Sequence, residues 1–327
     1  MYRVRFLTPF ISFVLFFAAS CAHAQVGSTD PLTVDISPAY PAPYQKVTVT
    51  PSSTLFDIAG ATVSITVNGT AFYKGSGGTS VQVPVGGPGT ATTIKITAVS
   101  AGQSTAKTFV IRPASVALVV EPITTTHPFY AGIGLVAPEG RVRLIAVPDI
   151  RTSSNKVLDP ATLVYTWKLG DQLLENNSGI GKSVLNATAP ERYRDSDVQL
   201  TVSNPNGTIT AQAQVTISPV DPITRMYRDD PLLGPLFDAA LSGTVAMAGS
   251  EDTYRGVGYY FSGVPNFAWT VNGTASGADK DITVRATGNG LGSAVLNFAA
   301  TQDSTSQTAN TGVSVNFGSK KSGFFGL

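Results

Sequence analysis

Val63-Ser-Ile-Thr-Val-Asn-Gly69, Tyr165-Thr-Trp-Lys-Leu-Gly-Asp171 and Phe267-Ala-Trp-Thr-Val-Asn-Gly273 align without a gap, and their centres Ile65, Trp167 and Trp269 stand 102 residues apart each time (167 − 65 and 269 − 167). Each stretch alternates apolar and polar residues with the period of a half-buried strand. Two of the three end in Asn-Gly, the pair that supplies positive φ at both central positions of a tight hairpin turn. A large apolar residue mid-strand, repeated at a fixed interval, marks the core of a module about a hundred residues long. Ile65, Trp167 and Trp269 are therefore the expected core anchors.

The rest of the chain carries the same signature. Lys46-Val-Thr-Val-Thr50, Thr92-Thr-Ile-Lys-Ile-Thr97, Gly140-Arg-Val-Arg-Leu-Ile-Ala-Val147, Val198-Gln-Leu-Thr-Val202 and Gly312-Val-Ser-Val-Asn-Phe317 are short alternating runs broken by Gly, Pro or Asn-Gly. Strands of this length with regularly spaced turns point to sandwiches of antiparallel sheets, with one face of each strand buried and the other wet. The module size is that of an immunoglobulin-type sandwich. The sequence thus predicts an all-β chain, a tandem array of three immunoglobulin-like antiparallel β-sandwiches.

Boundaries follow from the punctuation. The first module is expected over 25–122, the second over 123–219, the third over 220–318, with 319–327 as a tail. Glu121-Pro-Ile-Thr-Thr-Thr-His-Pro128 and Ser218-Pro-Val-Asp-Pro222 read as stiff, extended joints, because a residue before proline is driven towards β or polyproline geometry. Asp230-Pro-Leu-Leu-Gly-Pro-Leu-Phe-Asp-Ala-Ala-Leu241 reads as a short helix or turn capping the third module, its length limited by Pro235.

The middle module resembles PKD domains: Tyr165-Thr-Trp-Lys-Leu-Gly-Asp171 is similar to their Trp-Asp-Phe-Gly-Asp signature, with Lys168 and Leu169 departing from it. Asp195-Ser-Asp-Val-Gln-Leu-Thr-Val-Ser-Asn-Pro-Asn-Gly207 resembles the family's penultimate strand and hairpin, with Ala211 to Ile217 as the closing strand. This resemblance covers about Ala131 to Pro219. The chain also resembles uncharacterised exported proteins with tandem immunoglobulin-like domains from candidate-phyla-radiation bacteria, on Thr126-His-Pro-Phe-Tyr130 and Tyr227-Arg-Asp-Asp-Pro-Leu-Leu-Gly234. That resemblance implies a cell-surface role near pilus or adhesion systems and no enzyme activity.

Met1-Tyr-Arg-Val-Arg5, an uncharged apolar run to Ala19, and Ala22-His-Ala24 form a basic n-region, an apolar h-region and a small-x-small site, so residues 1–24 read as a signal peptide cut after Ala24. Ala18-Ala-Ser-Cys21 offers a second reading, a lipobox that would leave the lone cysteine, Cys21, acylated. Either way the expected destination is extracellular or the cell surface, with a membrane contact only through a lipid at Cys21. Of 22 Lys and Arg residues two, Arg3 and Arg5, lie in the leader, leaving 20 against 21 acidic residues, a net charge of −1. Nucleic acid, which requires a clustered basic footprint, is not an expected partner.

Chemistry is sparse. His127 is the only histidine beyond the leader, so no zinc set with cysteine or a second histidine can form, and it reads as a linker residue. Glu191, Asp195 and Asp197, the pair Asp229/Asp230, and the pair Glu251/Asp252 carry the oxygen ligands calcium prefers, but without EF-hand spacing. They read more simply as solvated turns or partners of Arg192, Arg194, Arg228 and Arg255; no cofactor is expected. The Gly-rich segments at 75–78, 86–89 and 288–292 lie between strand-like runs and open onto no helix, so they read as hairpin loops and not phosphate cradles.

Aromatic rings are the remaining recognition chemistry. Phe129, Tyr130, Tyr254, Tyr259 and Tyr260 would stack on glycans or anchor another surface protein if exposed, and Phe324 and Phe325 in the tail would dock on a partner. Packing inside the sandwiches is the competing reading for the strand tyrosines. The function expected from all of this is a non-enzymatic adhesion or assembly scaffold, with a carbohydrate-binding accessory protein as the alternative.

Overall fold

The computed structural model describes residues 31–287 and 290–318. Three sandwiches follow one another, each made of a three- or four-stranded sheet packed against a larger one. In the first, β1 (Leu32–Ser37), β2 (Lys46–Ser53) and β5 (Val81–Pro84) form one sheet in the order β1-β2-β5. The facing sheet runs β4-β3-β6-β7, from β3 (Thr62–Val67), β4 (Thr70–Ser76), β6 (Thr92–Ser100) and β7 (Gln103–Ile111).

The second sandwich repeats the plan. β8 (Ser115–Ile123), β9 (Arg141–Asp149) and β13 (Val184–Thr188) form the sheet β13-β9-β8, and β10 (Val164–Leu169), β11 (Gln172–Leu173), β14 (Ser196–Ser203) and β15 (Thr210–Ile217) form β11-β10-β14-β15, with β12 (Gly179–Ile180) also on β10. In the third, β16 (Ile223–Asp230), β17 (Gly234–Pro235), β19 (Glu251–Tyr259) and β22 (Asp281–Arg285) run β17-β16-β19-β22. Opposite them lies β18-β24-β23-β20-β21, built from β18 (Thr244–Ala246), β20 (Asn266–Val271), β21 (Thr274–Gly277), β23 (Gly292–Gln302) and β24 (Gln307–Phe317). Among the described residues all strand pairings are antiparallel except β18 with β24, which is parallel. Two antiparallel sheets with Greek-key crossing between them is the immunoglobulin and fibronectin III plan.

The repeat read from the sequence is a structural equivalence. Ile65, Trp167 and Trp269 are fully buried, at the middle of β3, β10 and β20, and sit opposite Ile96, Leu200 and Phe298 on the next strand of their sheets. Each indole still satisfies its N–H: Trp167 Nε1 donates to Lys182 O at 2.8 Å and Trp269 Nε1 to Asp279 O at 2.9 Å. A buried Trp needs such a partner, since an orphaned donor would cancel much of the gain from burying its ring. The two Asn-Gly turns are superimposable in their bonding. Asn68 and Gly69 have φ of 51° and 82°, Asn272 and Gly273 have 52° and 80°. Asn68 Oδ1 accepts from Thr93 N and Asn272 Oδ1 from Val295 N, both at 2.8 Å, so the turn side chain clips its hairpin to the neighbouring strand.

The first boundary differs from expectation. Ser115–Ile123 is not the end of the first module but the opening strand of the second, paired with β9 along its whole length. The link between these modules is Arg112-Pro-Ala114. Pro122 misleads because it lies on β8, an edge strand, where a missing N–H breaks no ladder. The segment from Thr124 to Gly140 is consequently a loop within the second module, joining β8 to β9. Ser218–Pro222 does separate β15 from β16, as its prolines suggest. The segment after Asp230 is a turn and not a helix: the Asp230 carboxylate accepts from Leu232 N at 2.8 Å and Leu233 N at 3.0 Å, which lowers its pKa.

Candidate functional site

The loop between β8 and β9 reaches from the second module onto the third. Thr125 is its clasp. Its N–H donates to Phe261 O at 3.0 Å, its carbonyl accepts from Tyr260 N at 2.8 Å, and its hydroxyl donates to Gly258 O at 3.0 Å while accepting from Phe261 N at 3.1 Å. Tyr260 holds a left-handed φ of 63°, a costly setting for a bulky side chain that the surrounding bonds impose. Its ring is turned back towards the loop.

Around this clasp six rings close together. His127 stacks on Phe237 at 4.3 Å between centroids, with Tyr130, Tyr227 and Tyr259 edge-on at 5.4, 6.4 and 5.7 Å. Two hydroxyl pairs tie the cluster: Tyr227 with Tyr259 at 2.7 Å, and Tyr130 with Tyr260 at 2.9 Å. Burial and the Tyr227 hydroxyl raise the Tyr259 phenol, while the bond from Tyr130 and then burial push Tyr260 up to about 12. A second tie lies beside it, where buried Gln307 donates from Nε2 to Pro138 O at 2.6 Å and accepts from Ser262 N at 2.9 Å. Edge-on and offset rings of this kind add about 0.5–1.5 kcal/mol per pair beyond the area they bury.

Next to the clasp is a cleft of about 250 Å³ lined by His127, Pro128, Phe237, Arg255, Phe267 and Lys280 among others. Arg255 binds Asp281 through both Nε and Nη2 and lies 3.3 Å from Asp229, which raises its pKa and holds it in the sheet. Three more of the acidic groups singled out in the sequence also meet arginines: Arg228 with Asp252 at 3.3 Å, Arg194 with Glu191 at 3.6 Å, and Arg285 with Glu251 at 2.6 Å. Asp197 instead accepts from the Thr216 hydroxyl at 2.6 Å. Among the described residues no three His, Cys, Asp or Glu side chains converge as a metal set.

The aromatic residues singled out in the sequence divide between packing and exposure. Tyr254 is wholly buried in the third core, its phenol pushed up to about 12 by burial and then by Asp252. Tyr259 and Tyr260 are buried in the junction, so none of these three presents a free ring face. Tyr130 is half-buried in the same cluster, and Phe129 alone is open, at 99% exposure. His127 is a member of the junction and not a free linker residue. Phe324, Phe325, Cys21 and Ala24 lie outside the described residues. Gln307 carried no sequence signal, because its partner is a backbone carbonyl 169 residues away.

No protein-family model matches the chain, and no curated protein matches it. Solved structures with a similar fold include the three N-terminal domains of the bacteriophage RB49 highly immunogenic outer capsid protein, at 13% identity over 89% of this chain and 99% of that one, with a TM-score of 0.26. Sidekick-1 immunoglobulin domains 1–5 match at 10% identity over 88% of this chain and 58% of that one, TM-score 0.31. The fibronectin(III)-like modules of Clostridium thermocellum CbhA match at 14% identity over 62% and 97%, TM-score 0.25.

Proposed function

We propose that this chain is an exported, non-enzymatic scaffold of the cell surface or the secreted fraction, holding immunoglobulin-like modules in a set order for adhesion or assembly, in company with pili or other envelope structures. The observation that carries the reading is the junction between the second and third modules. A loop inserted between two strands of one sandwich is clasped at Thr125 and tied by Gln307 to the next. Modules on one chain move relative to one another by default, and a buried polar network at the joint restrains that motion. The resemblance to exported tandem-domain proteins and the signal-like leader point the same way. Partners under this reading are other surface proteins or glycans, reached through loops and exposed side chains such as Phe129.

Protease added to intact bacteria expressing the tagged chain tests this directly. The expected result is digestion of the tag on unbroken cells, with loss of attachment or of surface-structure assembly in a strain lacking the chain. Retention of the chain inside the cell, with attachment unchanged, contradicts the reading.

A further inference from the structure

The three modules differ in what the outer face of their smaller sheet carries. In the first module that face is polar, with Thr33, Asp35, Thr48, Thr50, Ser52 and Gln82 pointing out. In the third it is charged, with Arg255 between Asp229 and Asp281, and one end is covered by the clasped loop. In the second it is aliphatic and open. Val119, Ile145 and Val184 lie abreast across all three strands, and Ala117 and Val147 form the row beside them. Val119 is 48%, Val147 53% and Val184 40% exposed, and none of these side chains joins the core beneath, which is filled by Val116, Val142, Leu144 and Leu185. Isolated exposed apolar residues need no explanation, but contiguous rows of β-branched ones mark a contact surface.

Charge flanks these rows asymmetrically. On one side is the Glu121–Arg143 pair, 2.5 Å apart, and on the other Asp149, held by Arg151 at 2.7 Å. Two copies brought face to face about a twofold axis perpendicular to the strands, passing between the two aliphatic rows, set Val147 on Ile145 and Ala117 on Val119. The same rotation sets Arg143 of one copy against Asp149 of the other, twice. Charges then alternate along the seam as Glu121, Arg143, Asp149 and Arg151. Rotation about an axis along the strands instead places Arg143 on Arg143.

We propose that this face of the second module is a self-association surface, its occupant a second copy of the same chain packed antiparallel through β9. Strands about 4.8 Å apart, β8 and β9 of nine residues and β13 of five, give a face of roughly 360 Å², a little under half of the roughly 800 Å² per partner that a stable dimer buries. The contact is therefore weak and reversible, populated where many copies are crowded together.

Sedimentation velocity on the full chain from about 10 µM to about 1 mM tests it. The weight-average coefficient is expected to climb towards that of a dimer, and Val119→Lys to abolish the climb without moving the melting temperature. Thr50→Lys, on the matching face of the first module, should leave it intact. Arg143→Glu alone and Asp149→Arg alone should each weaken association at least several-fold, and mixing the two variants should restore it, because each cross-copy pair is again opposite in sign. A coefficient that stays flat overturns the proposal and leaves the face to a different partner. Association that survives Val119→Lys, or a mixture that fails to recover, overturns it equally.

Discussion

Replacing Asn272 by alanine isolates what the repeat's turn residue contributes. The side chain does two things: its Oδ1 accepts from Val295 N at 2.8 Å, and it tolerates the φ of 52° that the hairpin requires. Losing the bond costs about 0.5–1.5 kcal/mol. Forcing a Cβ without a compensating local hydrogen bond into the left-handed region costs about 1 kcal/mol more. Asn272→Ala is thus expected to destabilise the third module by about 2 kcal/mol. For a module of a hundred residues that is a drop of roughly 8–16 °C in Tm. Asn272→Gly loses the bond but not the conformational freedom, so it should cost about half as much. The chain has two tryptophans, so in a Trp167→Phe background the fluorescence of Trp269 follows the third module alone. Asn68→Ala, with the same φ and the same 2.8 Å bond to Thr93 N, should show an equal loss in the first module by calorimetry. Equal costs for the Ala and Gly variants, or an Ala cost below about 0.5 kcal/mol, would refute the argument.

Three further outcomes are expected. Gly256→Ala places a Cβ 2.4 Å from the buried ring of Phe298, itself packed 4.5 Å from Trp269, and should cost about 1–3 kcal/mol in urea unfolding followed by Trp269. Tyr254 and Tyr260 keep their protons up to about pH 12 when folded but lose them near pH 10 when unfolded, so stability is full below pH 10 and falls as the pH rises towards 12. Absorbance at the phenolate band should show these rings ionising with unfolding and not before it. Mass spectrometry of the mature N-terminus is expected to return Gln25; an acylated Cys21 would instead place the chain on a lipid anchor.

Much of the architecture was legible because it is local. Period-2 alternation, Asn-Gly and a repeated Trp or Ile encode strands, turns and core within a few residues, and the structure places all three anchors at equivalent positions. What escaped was what long-range contact decides. Pro122 punctuates the sequence like a joint, yet it sits harmlessly on an edge strand, and Ser115–Ile123 accordingly changed modules. Tyr259 and Tyr260 sit at the end of a strand where exposure and burial look alike; the loop that covers them is 130 residues upstream. The same holds for the aliphatic rows on the second module, since Val119 and Val147 alternate as core residues would and only their register shows that they face out.

The fixed junction carries the scaffold reading, and hydrogen exchange of two amides probes it most directly. Tyr260 N–H donates to Thr125 O and Thr125 N–H to Phe261 O, across two different modules. If the clasp holds as described, both amides exchange as slowly as those of the paired strands β16 and β19 beneath them, and Thr125→Pro, which removes the Thr125 donor altogether, speeds exchange at the Tyr260 amide that remains. Exchange of the two amides at the rate of an open loop, with the strands still protected, would contradict the account.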